Sequence, residues 1–553
     1  MDRPILHGTD GIRGKVSASP DTDMEALQAI INQREVNGRA FMVLGEAIGQ
    51  MLAEELNRHP KVVICWDRRP GNAMLVSGLT DGLHSSSVRV IHGGVVATPG
   101  LHDSVLGTKA DAGLMVTASH NPYTDSGVKF FDSNGKKSMP NLERRIADLA
   151  WKIAEEGNNP EPDPESCLPD RMVNAERGHR STLARRLDNM AETLGINIEN
   201  SNWTEILGVD QFLLDSSGGA ATSWFAAGLN RRGIPTQEVS DEKNPLNEGC
   251  GAGEFSPTAS WTWDEMKVSN HVLLKSLTEL HASKPPVGSL LGAALDGDGD
   301  RCLLIEATEN GACVIDGDRM ADDIARAWDS IGVAKATMAF SIETDLSLTS
   351  GDERFEMEID ILECAVGDRW ISNQLSTNMI ESESWPPLIG AEDSGHLVLA
   401  SPHPEIENKW SLVGDGAATL ILQLLVRATL FNNGGVSSFQ RGWKKRISVK
   451  GTDRTKWTGE GELADSVEKI VKNHFNKDQC SFSRKVIDGE TSLLLLSGHV
   501  NGVLLSIGIR NSGTEAKTNI SIRAMSEIDG LDDLANSISE YLKEVLVHSS
   551  SSE

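Results

Sequence analysis

An α/β protein of three or four domains is predicted from three observations. The chain has 553 residues, several times what one hydrophobic core needs. Short apolar runs alternate with amphipathic stretches along most of its length. Loops rich in glycine, serine and aspartate follow several of those apolar runs, where an open α/β sheet places its ligands.

The elements follow in order. Phe41, Leu44, Ala47, Ile48, Met51 and Leu52 share one face of a helix over 41–57. Lys61 to Cys65 reads as a buried strand, 73–84 as a second helix, and Val88 to Ile91 and Ala112 to Val116 as further strands. This rhythm implies parallel sheets covered by helices. It breaks at 157–170, where prolines and acids make a linker. It resumes with a helix over 179–194, a strand from Gln211 to Asp215, a turn at Gly218-Gly219 and a helix near 221–230. A third unit carries an apolar helix at 416–429. The expected domains are 1–170, 171–311, 312–435 and 436–548, with a disordered polar tail at 549–553.

Composition narrows the class. Hydrophobic residues are 39% of the chain, and no run approaches the ~20 apolar residues of a membrane span. Residues Met1 to His7 lack the apolar stretch of a secretory signal. The seven cysteines include no Cys-x-x-Cys pair, which disfavours a disulfide framework or zinc ribbon and fits a reducing cytoplasm. The net charge of −28 repels nucleic acid and anionic lipid. It also repels an anionic metabolite, so positive charge for such a substrate must be gathered in one cleft. The same surplus of acid suits a saline cytoplasm, which activity against potassium chloride would test.

Five loops carry chemistry. Thr117-Ala118-Ser119-His120-Asn121-Pro122 sets a serine at a strand end, where it can serve as nucleophile or phosphoryl carrier. Lys129 follows ten residues on. Asp296-Gly297-Asp298-Gly299-Asp300-Arg301 presents three carboxylates that can converge on one hard cation. It is no EF-hand, since Arg301 stands where glycine and Ala307 where glutamate is required, and strands flank it. Glu392-Asp393-Ser394-Gly395-His396 offers hydrogen bonds for sugar hydroxyls and an imidazole for proton transfer. Arg510-Asn511-Ser512-Gly513-Thr514-Glu515 combines an arginine fork, hydroxyls and open backbone N–H groups suited to phosphate. Gly8-Thr9-Asp10-Gly11-Ile12-Arg13-Gly14 presents Arg13. Apart from the aspartate loop, each taken alone also reads as an ordinary polar turn.

The ordered set resembles the α-D-phosphohexomutase superfamily, from about residue 7 to about 525. Smaller echoes are Asp67 and Arg69, Ala97-Thr98-Pro99, and Asp215 with Gly218 to Ala221. The resemblance implies four domains around a central cleft, three α/β units with mixed sheets and a smaller phosphate-binding α+β unit at the C-terminus. It implies that Ser119 carries a transferable phosphoryl group. Asp296, Asp298 and Asp300, with an oxygen on Ser119, would hold Mg2+. Arg13, His120, Lys129 and Arg301 would surround the reacting phosphate, and His396 and Lys129 would be the acid/base candidates. Glu392 and Ser394 would meet sugar hydroxyls, and Arg510, Ser512, Gly513 and Thr514 the non-reacting phosphate. A hexose 1,6-bisphosphate would be both intermediate and activator, and a hexose phosphate the small-molecule partner, with neither nucleic acid nor membrane.

Three details resemble the phosphoglucosamine mutases of that superfamily: the Gly-Thr-Asp-Gly-Ile-Arg-Gly start, Val366-Gly367-Asp368-Arg369, and Asn244 to Gly251. Asp368 and Arg369 are thereby implied as substrate contacts. Glucosamine phosphate is the expected substrate, with mannose and glucose phosphates as alternatives. A sugar-phosphate sensor would lack a reacting residue, and none is missing. A phosphatase would need water in the cleft. Departures are His7, Asp393 and Ala516, and the long segments 18–37 and 132–170.

Overall fold

The computed structural model describes residues 3–8, 10–157, 167–281, 283–349, 352–475, 480–512 and 516–547. They form four sheets. The first runs Glu35–Val36, Ile12–Val16, Asp125–Asp132, Ala112–Val116, Lys61–Trp66, Arg89–Val95, Arg171–Met172. The second runs Ser260–Thr262, Gly311–Ile315, Cys302–Ala307, Leu290–Leu295, Phe212–Asp215, Thr236–Glu238. The third runs Glu358–Cys364, Lys335–Ser341, Leu388–Ala391, Leu397–Pro402, Lys409–Gly414, Ile380–Glu381. The fourth is antiparallel: Trp443–Lys450, Lys517–Ala524, Val503–Asn511, Leu494–Val500, Cys480–Lys485.

The first three sheets are mixed, and connection length explains where each direction occurs. Lys61–Trp66 pairs parallel with Arg89–Val95 and Ala112–Val116, and helices Asn72–Ser85 and Thr98–Thr108 make the crossovers. A parallel return needs about a dozen residues or more. Loops 117–124, 296–301 and 392–396 are shorter than that. Each therefore joins neighbouring antiparallel strands. The motif loops are the tips of tight hairpins, which holds their side chains at strand ends.

Helices Gly38–Leu56 and Asn72–Ser85 cover one face of the first sheet in close contact. A Cβ on Gly82 would lie 1.9 Å from the Met42 carbonyl oxygen, so only glycine permits this approach. Helix Pro140–Glu156 adds Ile146, Ala150 and Trp151 to the same core. The second and third sheets share one continuous core. Helix Gly416–Asn433 lies within it, and its all-round apolar composition follows from that. The fourth sheet has a separate core against helices Gly461–His474 and Leu531–Leu546.

Most expected elements form within a few residues of their anticipated bounds. The helix expected near 221–230 begins only at Phe225, because a run of turns follows Ser216. Much of the expected linker (158–166) and the tail 549–553 lie outside the described residues. None of the seven cysteines is in a disulfide. Among the described residues, no helix is long and apolar enough to cross a membrane.

Candidate active site

Ser119 follows the fully buried strand Ala112–Val116 and adopts a left-handed backbone, φ +52°. That conformation costs a residue with a side chain about 1–2 kcal/mol, so it must be held in place. Its amide donates to Thr117 Oγ1 at 2.9 Å. Its carbonyl accepts from Arg69 at 2.5 Å and from Asn247 Nδ2 at 2.8 Å. Arg69 is itself fixed by Asp67 at 2.9 Å. Asn247 comes from the loop of the second unit, so two units grip the serine. The Ser119 hydroxyl donates to Asp296 Oδ2 at 2.9 Å.

Asp296, Asp298 and Asp300 sit on the tip between strands Leu290–Leu295 and Cys302–Ala307, all buried. One carboxylate oxygen from each lies within 4.8 Å of the others. Burial and the neighbouring Asp300 and Asp298 push Asp296 up to about 8. Burial, the largest single influence, opposes ionisation of Asp298 and Asp300, but Lys129 together with Thr98 on Asp298, and with His396, Lys137 and Arg301 around Asp300, holds both below the usual carboxylate range. Lys129 Nζ reaches Asp298 at 2.7 Å, Asp300 at 2.8 Å and Asp10 at 3.3 Å. Burial disfavours its charge, yet these carboxylates raise it well above the ordinary lysine value. Asp298 Oδ1 and Asp300 Oδ1 are buried and accept no hydrogen bond. An all-oxygen donor set with two such oxygens, beside a hydroxyl, fits a hard divalent cation.

Above this loop lies a cavity of about 800 Å³. Arg13 and His120 come from the first unit, Arg301 from the second, Glu392, Ser394 and His396 from the third, and Arg510 and Ser512 from the fourth. Ser119, Lys129 and the three aspartates lie beneath its wall. Seven lysines and arginines and six carboxylates line it among the described residues. Against a chain of 52 basic and 80 acidic residues, that is a marked local relief of negative charge rather than a purely basic cleft. Arg13 pairs with Asp10. Arg301 chiefly, then burial, depresses His120 to about 3, so its ring is neutral. His396 stands 3.2 Å from Asp368 and 3.9 Å from Asp300; burial lowers its pKa, but the two carboxylates prevail and raise it. Glu392 accepts the Gly367 amide at 3.0 Å, and burial raises its carboxyl.

The structure thus brings Ser119, Lys129, His120, Arg13, Arg301, His396, Glu392, Ser394, Asp368, Arg510 and Ser512 to one place. Arg369 differs from Asp368 beside it. Its guanidinium turns from the cavity to Glu143 at 2.7 Å and the Ser138 carbonyl at 3.2 Å. Gly513 and Thr514 lie outside the described residues. Sequence reasoning missed Lys137, which bridges Asp10 at 3.1 Å, Asp368 at 2.8 Å and Asp300 at 3.4 Å. It also missed Gln33 and Arg34, carried to the cavity wall by the long segment 18–37, whose helix Asp23–Asn32 packs on Pro140–Glu156. Glu343, Lys444 and Arg446 were missed as well. None of these belongs to a motif; the lengths of 18–37, which holds Gln33 and Arg34, and of 132–170, which holds Lys137, were the available signals.

A family model described as phosphoglucomutase/phosphomannomutase, alpha/beta/alpha domain I, matches residues 4–157. The chain is 27% identical over 545 residues to a phosphoglucosamine mutase of Burkholderia pseudomallei, spanning 94% of this chain and 95% of the relative. It is 28% identical over 400 residues to one of Corynebacterium aurimucosum, spanning 71% and 74%. Its fold matches a phosphoglucomutase/phosphomannomutase family protein of Burkholderia thailandensis with a TM-score of 0.59 at 16% identity, over 98% and 97% of the two chains. It matches the open form of the Paramecium phosphoglucomutase parafusin with a TM-score of 0.60 at 16% identity, over 98% and 95%.

Proposed function

We propose that this chain is a mutase of the α-D-phosphohexomutase superfamily, an isomerase that transfers phosphoryl between O6 and O1 of a hexose phosphate through Ser119. The preferred substrate in this reading is glucosamine 6-phosphate, giving glucosamine 1-phosphate. One observation carries it: Ser119 is held in a strained backbone with its hydroxyl 2.9 Å from a buried aspartate of another unit, beneath a cavity walled by all four.

Ser119 would carry the phosphoryl group. In the first half-reaction the Ser119 Oγ–P bond breaks as a bond forms from phosphorus to the free sugar hydroxyl, whose proton passes to a base. The resulting bisphosphorylated sugar turns over within the cavity and returns its other phosphoryl group to Ser119. Asp296, Asp298 and Asp300 would hold Mg2+, which when bound supplies charge to stabilise the transferring oxygens. Arg13 and Arg301 would orient the equatorial oxygens from the cavity wall. His120, kept neutral, can hydrogen-bond the phosphoryl group without adding charge. In this reading one of Lys129 and His396 gives a proton to the leaving Ser119 Oγ and, once unprotonated, takes the proton of the attacking sugar hydroxyl. Glu392 and Ser394 would orient the sugar ring, and Arg510 and Ser512 its distal phosphate, with Gly513 and Thr514 as further donors.

The proposal keeps four units cut near 170, 311 and 435. Sheet membership of Arg171–Met172 and Gly311–Ile315 would move two of those cuts to 172 and 315. The seven unpaired cysteines support a reducing, cytoplasmic location. The substrate test compares kcat/KM for glucosamine 6-phosphate, mannose 6-phosphate and glucose 6-phosphate, with magnesium and a hexose 1,6-bisphosphate present. Glucosamine 6-phosphate should lead. If it ranks last, the substrate assignment is wrong.

A further inference from the structure

Segment 341–344, at the end of strand Lys335–Ser341, is where the fourth sheet docks on the third unit. Three arginines from three strands of that sheet converge on it. Arg523 of Lys517–Ala524 donates to the Thr344 carbonyl at 2.7 Å. Arg446 of Trp443–Lys450 reaches Glu343 Oε2 at 3.0 Å and donates to the Glu343 carbonyl at 3.3 Å. Arg510 of Val503–Asn511 reaches Glu343 Oε1 at 3.2 Å through one terminal nitrogen and at 3.4 Å through Nε.

The strand order explains why the carboxylate falls between the two guanidinium groups. Trp443–Lys450 and Val503–Asn511 are separated by Lys517–Ala524, on which Arg446 is opposite Ser521 and Arg510 opposite Asn519. Neighbouring strands are ~4.8 Å apart and the two pairing positions differ by two residues of ~3.4 Å each, so the two arginine backbones stand about 12 Å apart. Among the described residues of the fourth sheet, none pairs with both heads. Glu343 does so, using one oxygen for each. Glu343, Arg446, Arg510 and Asn519 all line the large cavity. Asp393 adds a second tie, meeting Arg446 at 3.0 Å and pairing with Lys444.

We propose that Glu343 is a positioning residue that gathers Arg446 and Arg510 into a two-guanidinium cradle for the non-reacting phosphate monoester, formed only while the C-terminal unit is docked on the third. The inference rests on the reading of Arg510 as a phosphate contact and adds Arg446 to that contact. It makes docking of the fourth unit and capture of the distal phosphate one event. Glu343 compensates the mutual repulsion of two adjacent cations until the phosphate dianion arrives, and it holds the Nε edge of Arg510 while leaving the opposite edge toward the ligand.

The test measures KM and kcat for the hexose phosphate, with inorganic phosphate binding by calorimetry, for Glu343→Gln, Glu343→Asp, Arg446→Met and Arg510→Ala. Glu343→Gln keeps the shape and removes the charge. It should raise KM and weaken phosphate binding about tenfold, the size of one lost charge-assisted hydrogen bond, with kcat within about twofold. Glu343→Asp should fall between it and the parent. Arg446→Met should match Glu343→Gln, and this exposed position reads the same cradle if the Glu343 variant does not fold. Combining Glu343→Gln with Arg446→Met should add little to either alone. A raised KM in Arg510→Ala with an unchanged or lowered KM in both Glu343→Gln and Arg446→Met overturns the inference and leaves the clamp reading standing. An unchanged KM in Arg510→Ala overturns the clamp reading itself.

Discussion

Replacing Thr117 by valine keeps the outline of the side chain and removes one hydroxyl. That hydroxyl donates to Asp67 Oδ2 at 2.6 Å and accepts the Ser119 amide at 2.9 Å. Thr117 and Ser119 are both buried, so water does not replace either bond. The carboxylate of Asp67 keeps Arg69 and Asn72, and loses one donor. The Ser119 amide loses the bond that helps hold φ at +52°. An unpartnered buried N–H costs about 1–3 kcal/mol, and loss of a bond to a charged group is of similar size. With some recovery from the extra methyl contact, the net destabilisation should be about 2–4 kcal/mol. If about 2 kcal/mol of it falls on the left-handed conformer of Ser119, the ratio of that conformer to its alternatives falls roughly thirtyfold. Thr117→Ser retains the hydroxyl and serves as the control. Thermal melts report the stability change, and intact-mass measurement of phosphoryl incorporation from a hexose 1,6-bisphosphate reports the serine. Wild-type incorporation by the valine variant would refute the claim that this loop geometry is held by Thr117.

Two further predictions concern charge. Asp298→Asn should weaken magnesium binding by an order of magnitude or more and lower activity at subsaturating magnesium, and a chelator should abolish turnover reversibly. Calorimetry with the metal checks the first, and an unchanged magnesium affinity would remove the aspartate loop from the metal site. Asp215 is pushed by burial up to about 7, although it accepts amides from Ser217 at 2.8 Å and Gly251 at 2.7 Å. The folded chain therefore binds this proton more tightly than the unfolded chain, and the sign follows. Stability from this group is full below about pH 4, is lost as pH rises to about 7, and is level above that. Asp215→Asn should lack that decline, so denaturant melts of the two proteins should diverge in slope across this window. Parallel curves would contradict it.

Much of the site was legible in the sequence because its main parts are hairpin tips. Ser119, the three aspartates, Glu392 to His396 and Arg510 each sit where an apolar run stops, and an apolar run is the clearest signal a sequence carries. The mixed direction of the sheets was legible only through the family resemblance; the physical reason, loops too short for a crossover, became plain once the strands were seen to pair. Lys137 and Glu343 were not legible, nor was the reach of Asn247 to Ser119, although its stretch was singled out. Each acts across unit boundaries on a partner more than a hundred residues away, and nothing in a local spacing encodes such a contact. Arg369 shows the converse limit. It stands beside Asp368 at the start of a helix, yet adjacent helical residues point about 100° apart, and only one of them faces the cavity.

The central claim is that Ser119 holds the phosphoryl group that the sugar receives and returns. Its most direct test is incubation with a hexose 1,6-bisphosphate labelled in phosphorus, peptide mapping of the labelled chain, and a chase with unlabelled hexose monophosphate. The account predicts one label per chain, on Ser119, absent from Ser119→Ala and lost to the sugar in the chase. Label at another residue, or full mutase activity in Ser119→Ala, would contradict it.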